Sequence, residues 1–211
     1  MNITRLHDAT TANFTNVSYI LDDLRFLWQH HDSHSPSVLN IGISTGLEPL
    51  ILRNCGYNLT TVDVVPSNNP DILLDIRKLS LISGEQYDIS ILSHVAEHIE
   101  YSAFPTLLAD LSSLSKYTIL YLPVAGKHYS FRIHSERPFF SLDLVVDISN
   151  PFRYPSDTTP RFCDGQHFWE IGPFCIPLRK LRRQISKSHR ILKEYRNLDW
   201  IPSYNFVLKR L

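Results

Sequence analysis

Glycine is scarce in this chain, with seven among 211 residues, and methionine occurs once. That composition excludes collagen-like repeats and glycine-rich linkers, and it implies that glycine stands only where the backbone needs it. Cysteine is also rare: Cys55, Cys163 and Cys175 are odd in number and form no C-x-x-C, which argues against a disulfide framework. An excess of either charge is missing. Lys plus Arg and Asp plus Glu each total 21, so no global field recruits nucleic acid or an acidic membrane surface. No apolar run approaches the roughly 20 residues of a spanning helix, and "MNITRLHDATTANFTN" holds no signal-like apolar core. A soluble, cytoplasmic protein without a membrane partner is expected. Against these absences, 43% hydrophobic and 20% charged content suffices for one sizeable core, which predicts a single domain over 1–211.

Val17, Ile20, Leu21, Leu24, Leu27 and Trp28 recur at helical spacing, so an amphipathic helix is predicted from Val17 to about His30 within an N-terminal segment, 1–36. Five short apolar, β-rich segments follow: 37–41, 59–64, 71–76, 87–92 and 117–122. Helical stretches separate them at about Leu47–Cys55 and Phe104–Ser115, with a short, poorly defined one around Arg77–Ile82. Alternating strands and helices imply a parallel sheet with right-handed crossovers and helices on both faces. Residues 124–177 are rich in proline and aromatics and show no clear period, which predicts an ordered but irregular insert on the substrate side. A helix marked by Leu178, Leu181 and Ile185 then leads to a closing β-hairpin, 189–197 and 200–211.

In "VLNIGISTGLEPLIL" (38–52) a strand runs into a loop with Gly42 and Gly46 and then into a helix. Such a turn lets the backbone approach a ligand, and the helix start offers free N–H groups, although many α/β proteins carry glycine there for packing alone. Asp63 ends the next strand 21 positions after Gly42, where a carboxylate can accept hydrogen bonds from ribose hydroxyls. Together these features point to an adenosine-bearing cofactor. Asp75, at the end of the third strand, is placed either to meet an adenine amino group or to cap the following turn.

"VLNIGISTGL", "LTTVDV", "ILLDI", "YDISILSHVAEHI" and "YTILYLP" resemble, in order and in spacing, the five strand motifs of class I S-adenosylmethionine-dependent methyltransferases, particularly the small-molecule, ubiquinone-biosynthesis-like branch. The resemblance runs from about 37 to 123 and resumes over the last helix and hairpin. It implies a Rossmann-like, seven-stranded, mostly parallel α/β sheet with an antiparallel C-terminal hairpin. It also implies S-adenosyl-L-methionine as cofactor and roles by position: Gly42, Ser44 and Gly46 around the methionine part, Asp63 with Val64 at the ribose, Asp75 with Ile76 at the adenine, and Ser93 with His94 on the far side.

Two residues depart from that pattern. Asn40 stands where the family usually has an acid near the cofactor's ammonium, and Ser44 stands where it usually has glycine, at a cost on the order of 1 kcal/mol if φ is positive. They motivate an alternative, a catalytically degenerate binding protein. A nicotinamide oxidoreductase is a second alternative, but the loop lacks the third, helix-packing glycine of that fingerprint.

Methyl transfer requires an aligned acceptor, exclusion of water and, for a hydroxyl, a base. His94 and His98 in "SHVAEHIE" follow the fourth strand and would share a helix face if the helix has begun by His94, or else pack locally with Glu97. "DGQHFWEIG" (164–172) supplies His167 as the first candidate base and Glu170 as its orienting partner, with Phe168 and Trp169 either walling the pocket or packing in the core. No metal is expected, because Cys163, His167 and Cys175 match no zinc spacing. The basic run Arg179–Lys193 reads as a solvated face or, alternatively, as an attractor of a phosphate-bearing acceptor or RNA; with a neutral whole and no nucleic-acid module, nucleic acid is not the expected partner. No motif for aligning an amino nitrogen and no Pro-Cys nucleophile follows the fourth strand, which leaves an oxygen acceptor. His128, Arg132, His134 and Arg137 suggest that this small acceptor is polar, sugar-like or anionic.

Overall fold

Val38, Leu39 and Ile41 have essentially no exposed surface, so the strand they form, β1 (Ser37–Ile41), is covered on both faces, as a continuous apolar run requires. The computed structural model describes residues 3–29, 35–44, 46–82, 86–136, 139–148, 155–156, 158–200 and 202–211. Around β1 the chain lays down α1 (Ile3–Trp28), α2 (Leu47–Asn54), β2 (Asn58–Asp63), β3 (Ile72–Leu73), β4 (Tyr87–Ser93), α3 (Phe104–Leu114) and β5 (Ser115–Pro123). It continues with β6 (Lys127–Glu136), β7 (Phe139–Ile148), α4 (Leu178–Ile185), β8 (His189–Arg196) and β9 (Ser203–Arg210).

Seven strands form one sheet in the order β3-β2-β1-β4-β5-β9-β8, in which only β9 runs against the others. Ile20, Leu24 and Leu27 of α1 and Leu52 of α2 cover one face; Leu107, Leu108 and Leu111 of α3 with Leu181 and Ile185 of α4 cover the other. Each such fully buried side chain contributes about 1.5–3 kcal/mol by leaving water. Asp23 fastens α1 to the sheet: it is enclosed, and it accepts hydrogen bonds from Tyr121 Oη, Tyr195 Oη and Lys193 Nζ, all at 2.7 Å. No helix among the described residues is long and apolar enough to cross a membrane.

Several elements differ from the sequence expectation. α1 begins well before Val17. β3 keeps only two of the six expected residues, and the following segment is a 3-10 helix, Ile76–Leu81, rather than an α-helix. The insert is not irregular at its start: β6 and β7 form a separate two-stranded arm, paired Tyr129 with Val146, Phe131 with Leu144 and Ile133 with Leu142. Those six side chains lie on one exposed face of the arm. The other face turns toward the body, where Asp147 meets His128 and Arg196, and Arg132 bridges Asp143 and Asp199.

Candidate active site

The order of strands reverses between β2-β1 and β4-β5, so the loops leaving their C-terminal ends diverge and open a crevice. A cleft of about 1160 Å³ lies there, lined on one side by the β1–α2 loop and on the other by the segments after β4 and β5.

Gly42 has φ 79°, and a Cβ at this position would collide with the Val95 side chain, so the close approach of the two loops depends on glycine. Ser44 adopts φ 44°, the left-handed conformation that the sequence comparison anticipated as costly. Gly46 caps α2 at φ 78°. Thr45, between them, lies outside the described residues.

Asp63 is buried at the end of β2, and its carboxylate accepts from Ile43 N–H at 2.9 Å, Val65 N–H at 2.8 Å and Asn68 Nδ2 at 3.1 Å. Burial pushes its pKa up, but the Val65, Asn68 and Ile43 donors outweigh that and hold it below the usual carboxylate range. The residue therefore locks the first loop to β2 and stays ionised, with acceptor capacity left toward the cleft. Val64, beyond the strand, is exposed on the rim. Asp75 caps the 3-10 helix through Arg77 N–H at 2.9 Å and pairs with the Arg77 guanidinium at 2.6 Å, while it and Ile76 line the cleft. The cap foreseen for Asp75 is thus present, and it accounts for much of the carboxylate's acceptor capacity.

Asn40 is fully enclosed, and among the described residues neither atom of its amide finds a well-formed hydrogen bond. Glu48, on the first turn of α2, reaches the same region and lines the cleft, with Oε1 enclosed and unpartnered. Burial raises the Glu48 carboxyl to about 8, with the Asn40 amide opposing part of the rise. An acid is thus supplied here from the helix rather than from the strand. Sequence reading missed it, although an acid on the first helical turn after such a loop was a usable signal.

Ser93 ends β4, and His94 follows with φ 56°, so no helix has begun there. The expectation that His94 and His98 share a helix face therefore fails: Ala96–His98 is a single 3-10 turn. His94 instead places Nε2 3.0 Å from Ser203 Oγ and Nδ1 3.5 Å from Glu97 Oε1. Glu97 is completely buried and makes no well-formed hydrogen bond among the described residues. Burial alone would raise its pKa, but His94, His167 and His98 around it hold it below the ordinary value.

His167 joins this group from the distant insert. Its Nδ1 lies 2.8 Å from Glu170 Oε1, its Nε2 lies 3.9 Å from Glu97 Oε1, and its ring meets the His98 ring edge-on at 4.9 Å. Phe168 and Trp169 do not line the cleft. Trp169 is fully buried against Tyr101 and Phe104, with Nε1 donating to the Ile99 carbonyl at 3.1 Å, because a large apolar ring gains more in the core than at a rim. Phe162 and Phe174 take the wall positions.

Of the suggested anion-binding cations, His128 and Arg132 are taken up by Asp147, Asp143 and Asp199. Arg137 and the His134 side chain lie outside the described residues. In the basic run, Arg182 pairs with Glu194 and Lys193 with Asp23, whereas Arg179, Arg183, Lys187 and Arg190 are exposed.

The sequence matches no protein-family model and no curated protein. Its fold does match solved structures. A crystal structure of an S-adenosylmethionine-dependent methyltransferase from Clostridium acetobutylicum superposes with TM-score 0.57 at 8% identity, covering 90% of this chain and 89% of that one. Magnesium protoporphyrin IX methyltransferase from Synechocystis, with bound S-adenosylmethionine, gives 0.55 at 11% identity, covering 94% and 81%. A glycopeptide N-methyltransferase in complex with S-adenosylhomocysteine gives 0.54 at 9% identity, covering 89% and 88%.

Proposed function

We propose that this chain, which has the fold of class I S-adenosylmethionine-dependent methyltransferases, is itself such an enzyme and methylates an oxygen of a small polar acceptor. The observation that carries the reading is the Glu48 carboxyl, which lines the switch-point cleft beside the enclosed Asn40 amide. A buried polar group short of partners, such as Glu48 Oε1, costs on the order of 1–3 kcal/mol, a cost removed by a ligand that hydrogen-bonds to it. Glu48 supplies a carboxyl where Asn40 supplies none, and an ammonium group bound beside it favours the ionised form. This counts against the degenerate-protein alternative, as the reversed β9 and the missing third glycine count against a nicotinamide enzyme.

In this reading the Gly42–Ser44–Gly46 backbone, Asn40 and Glu48 hold the methionine part of the cofactor. Asp63 and Val64 hold its ribose, Asp75 and Ile76 its adenine, and Ser93 and His94 its far side. When bound there, S-adenosylmethionine supplies a methyl group on a sulfonium sulfur. The protein's own work is alignment, desolvation and proton removal. Residues 124–177 form the substrate side, with Phe162 and Phe174 keeping water from the cleft. His167 is the base: Glu170 holds its Nδ1–H, which leaves Nε2 free to accept the acceptor's proton, and His98 braces the ring.

The test is transfer of labelled methyl from S-adenosylmethionine across a panel of sugar-like and anionic hydroxyl compounds. Asp63→Ala is expected to raise the cofactor KM at least tenfold, and His167→Ala to lower kcat at least a hundredfold with cofactor binding retained. Unchanged turnover in His167→Ala would remove it from the mechanism.

A further inference from the structure

Glu97, His98 and His167 bring one carboxylate and two imidazoles together beside the cleft, which the two histidines line, with ligand atoms within 4.8 Å of one another. Four observations make this more than a chance cluster. Glu97 is fully buried, yet neither of its oxygens has a well-formed hydrogen bond among the described residues. His98 Nδ1 lies 3.1 Å from the Gln166 carbonyl oxygen; a carbonyl only accepts, so Nδ1 carries the hydrogen and the neutral ring keeps its lone pair on Nε2. Glu170 fixes His167 in the same tautomer through Nδ1 at 2.8 Å, again leaving Nε2 as the free donor atom. Finally, Phe168 N–H donates to the Glu97 carbonyl at 2.9 Å, which ties the two ligand-bearing segments together.

A ligating histidine whose second nitrogen is held by a carboxylate or a carbonyl is the usual outer arrangement of protein metal sites. Here both histidines have it, and the third group is a buried carboxylate whose contact with His94 Nδ1 is long, at 3.5 Å. We propose that Glu97, His98 and His167 form a binding site for a first-row divalent transition-metal ion, with the remaining coordination positions open to the cleft. Two imidazoles favour zinc, cobalt, manganese or iron over magnesium or calcium, which prefer all-oxygen sites. Bonds of about 2.0–2.2 Å place ligand atoms about 3–4 Å apart, so loading needs side-chain shifts on the order of 1 Å.

What the ion would do rests on the methyltransferase reading. An acceptor hydroxyl bound to it is polarised and releases its proton to solvent near neutral pH, and in the loaded protein His167 is a ligand rather than the free base. That ion binding occurs at all does not rest on that reading.

The test is titration of chelator-treated full-length protein with Co²⁺, followed by visible d–d absorption and competition by Zn²⁺. A single equivalent is expected to give a band that Zn²⁺ abolishes. Glu97→Gln and His98→Ala should each weaken Co²⁺ at least a hundredfold, and Glu170→Gln about tenfold. His98 is exposed, so its variant keeps the test valid if the buried Glu97 variant does not fold. Absence of the band, or an unchanged affinity in folded His98→Ala, would overturn the site. Calorimetry with S-adenosylhomocysteine on the same samples separates the two readings: nucleoside binding without cobalt binding sinks the ion site alone, and cobalt binding without nucleoside binding sinks the methyltransferase alone.

Discussion

Phe168 donates its backbone N–H to the Glu97 carbonyl at 2.9 Å, and this bond joins residues 71 positions apart in sequence. It is the joint by which the insert delivers His167 to the end of β4. Trp169, one residue on, is the anchor beneath it, fully buried against α3.

Trp169→Ala is therefore expected to destabilise the protein by about 3–5 kcal/mol and to disturb His167 before it disturbs the cofactor side. Denaturant unfolding measures the first effect. A fall in kcat larger than any rise in cofactor KM measures the second.

Glu48 gives a pH dependence of opposite sense to that of an ordinary carboxylate. Its ligand-free folded pKa of about 8 lies above the ordinary carboxyl value of 4.5, so its stabilising contribution is full below 4.5 and is lost as pH rises through about 8. The side chain is only partly enclosed, which reduces the effect to about 1–2 kcal/mol. Glu48→Gln should flatten that decline in thermal melts. If Glu48 faces the cofactor's ammonium, wild-type affinity for S-adenosylmethionine rises with pH through about 8, and in Glu48→Gln it is lower and loses that rise.

Ser44→Gly removes a side chain from a left-handed backbone position and is expected to stabilise the protein by about 1 kcal/mol. Differential scanning calorimetry reads this as a higher Tm. An unchanged or lower Tm would show that the Ser44 side chain earns its place by a contact of its own.

His189 sets an acid limit. Burial lowers its pKa from 6.5 to about 4, so the stability tied to the neutral ring is present above 6.5 and is lost as pH falls toward about 4. The full effect is about 3 kcal/mol. His189→Leu should hold its stability over that interval in urea titrations at stepped pH, whereas the wild type should not.

Features fixed by local spacing were legible in the sequence. The apolar strand before Gly42, and Asp63 at the end of the next strand, follow from chain periodicity, and so does the reversed final hairpin. The arm of β6 and β7 was less so, although Tyr129, Phe131 and Ile133 alternate with polar residues. Alternation implies a core face, and here that face is exposed. Glu97 reads as a local partner of the histidines, which it is at His94, but its approach to His167 comes from the distant insert and is not visible in local spacing. Glu48 was legible as an acid on the first turn of α2, but its proximity to Asn40 depends on how α2 turns back over β1. The shared helix face for His94 and His98 failed because His94 takes a positive φ, which a spacing argument does not register.

The central claim is that the switch-point cleft holds S-adenosylmethionine. Isothermal titration calorimetry of the purified protein with S-adenosylhomocysteine tests it most directly, with Asp63→Ala and NADH as controls. The account predicts saturable binding of one molecule per chain with micromolar affinity, weakened at least tenfold by Asp63→Ala, and no heat from NADH. No binding of S-adenosylhomocysteine or S-adenosylmethionine at about millimolar concentration, or saturable binding of NADH in their place, would contradict it.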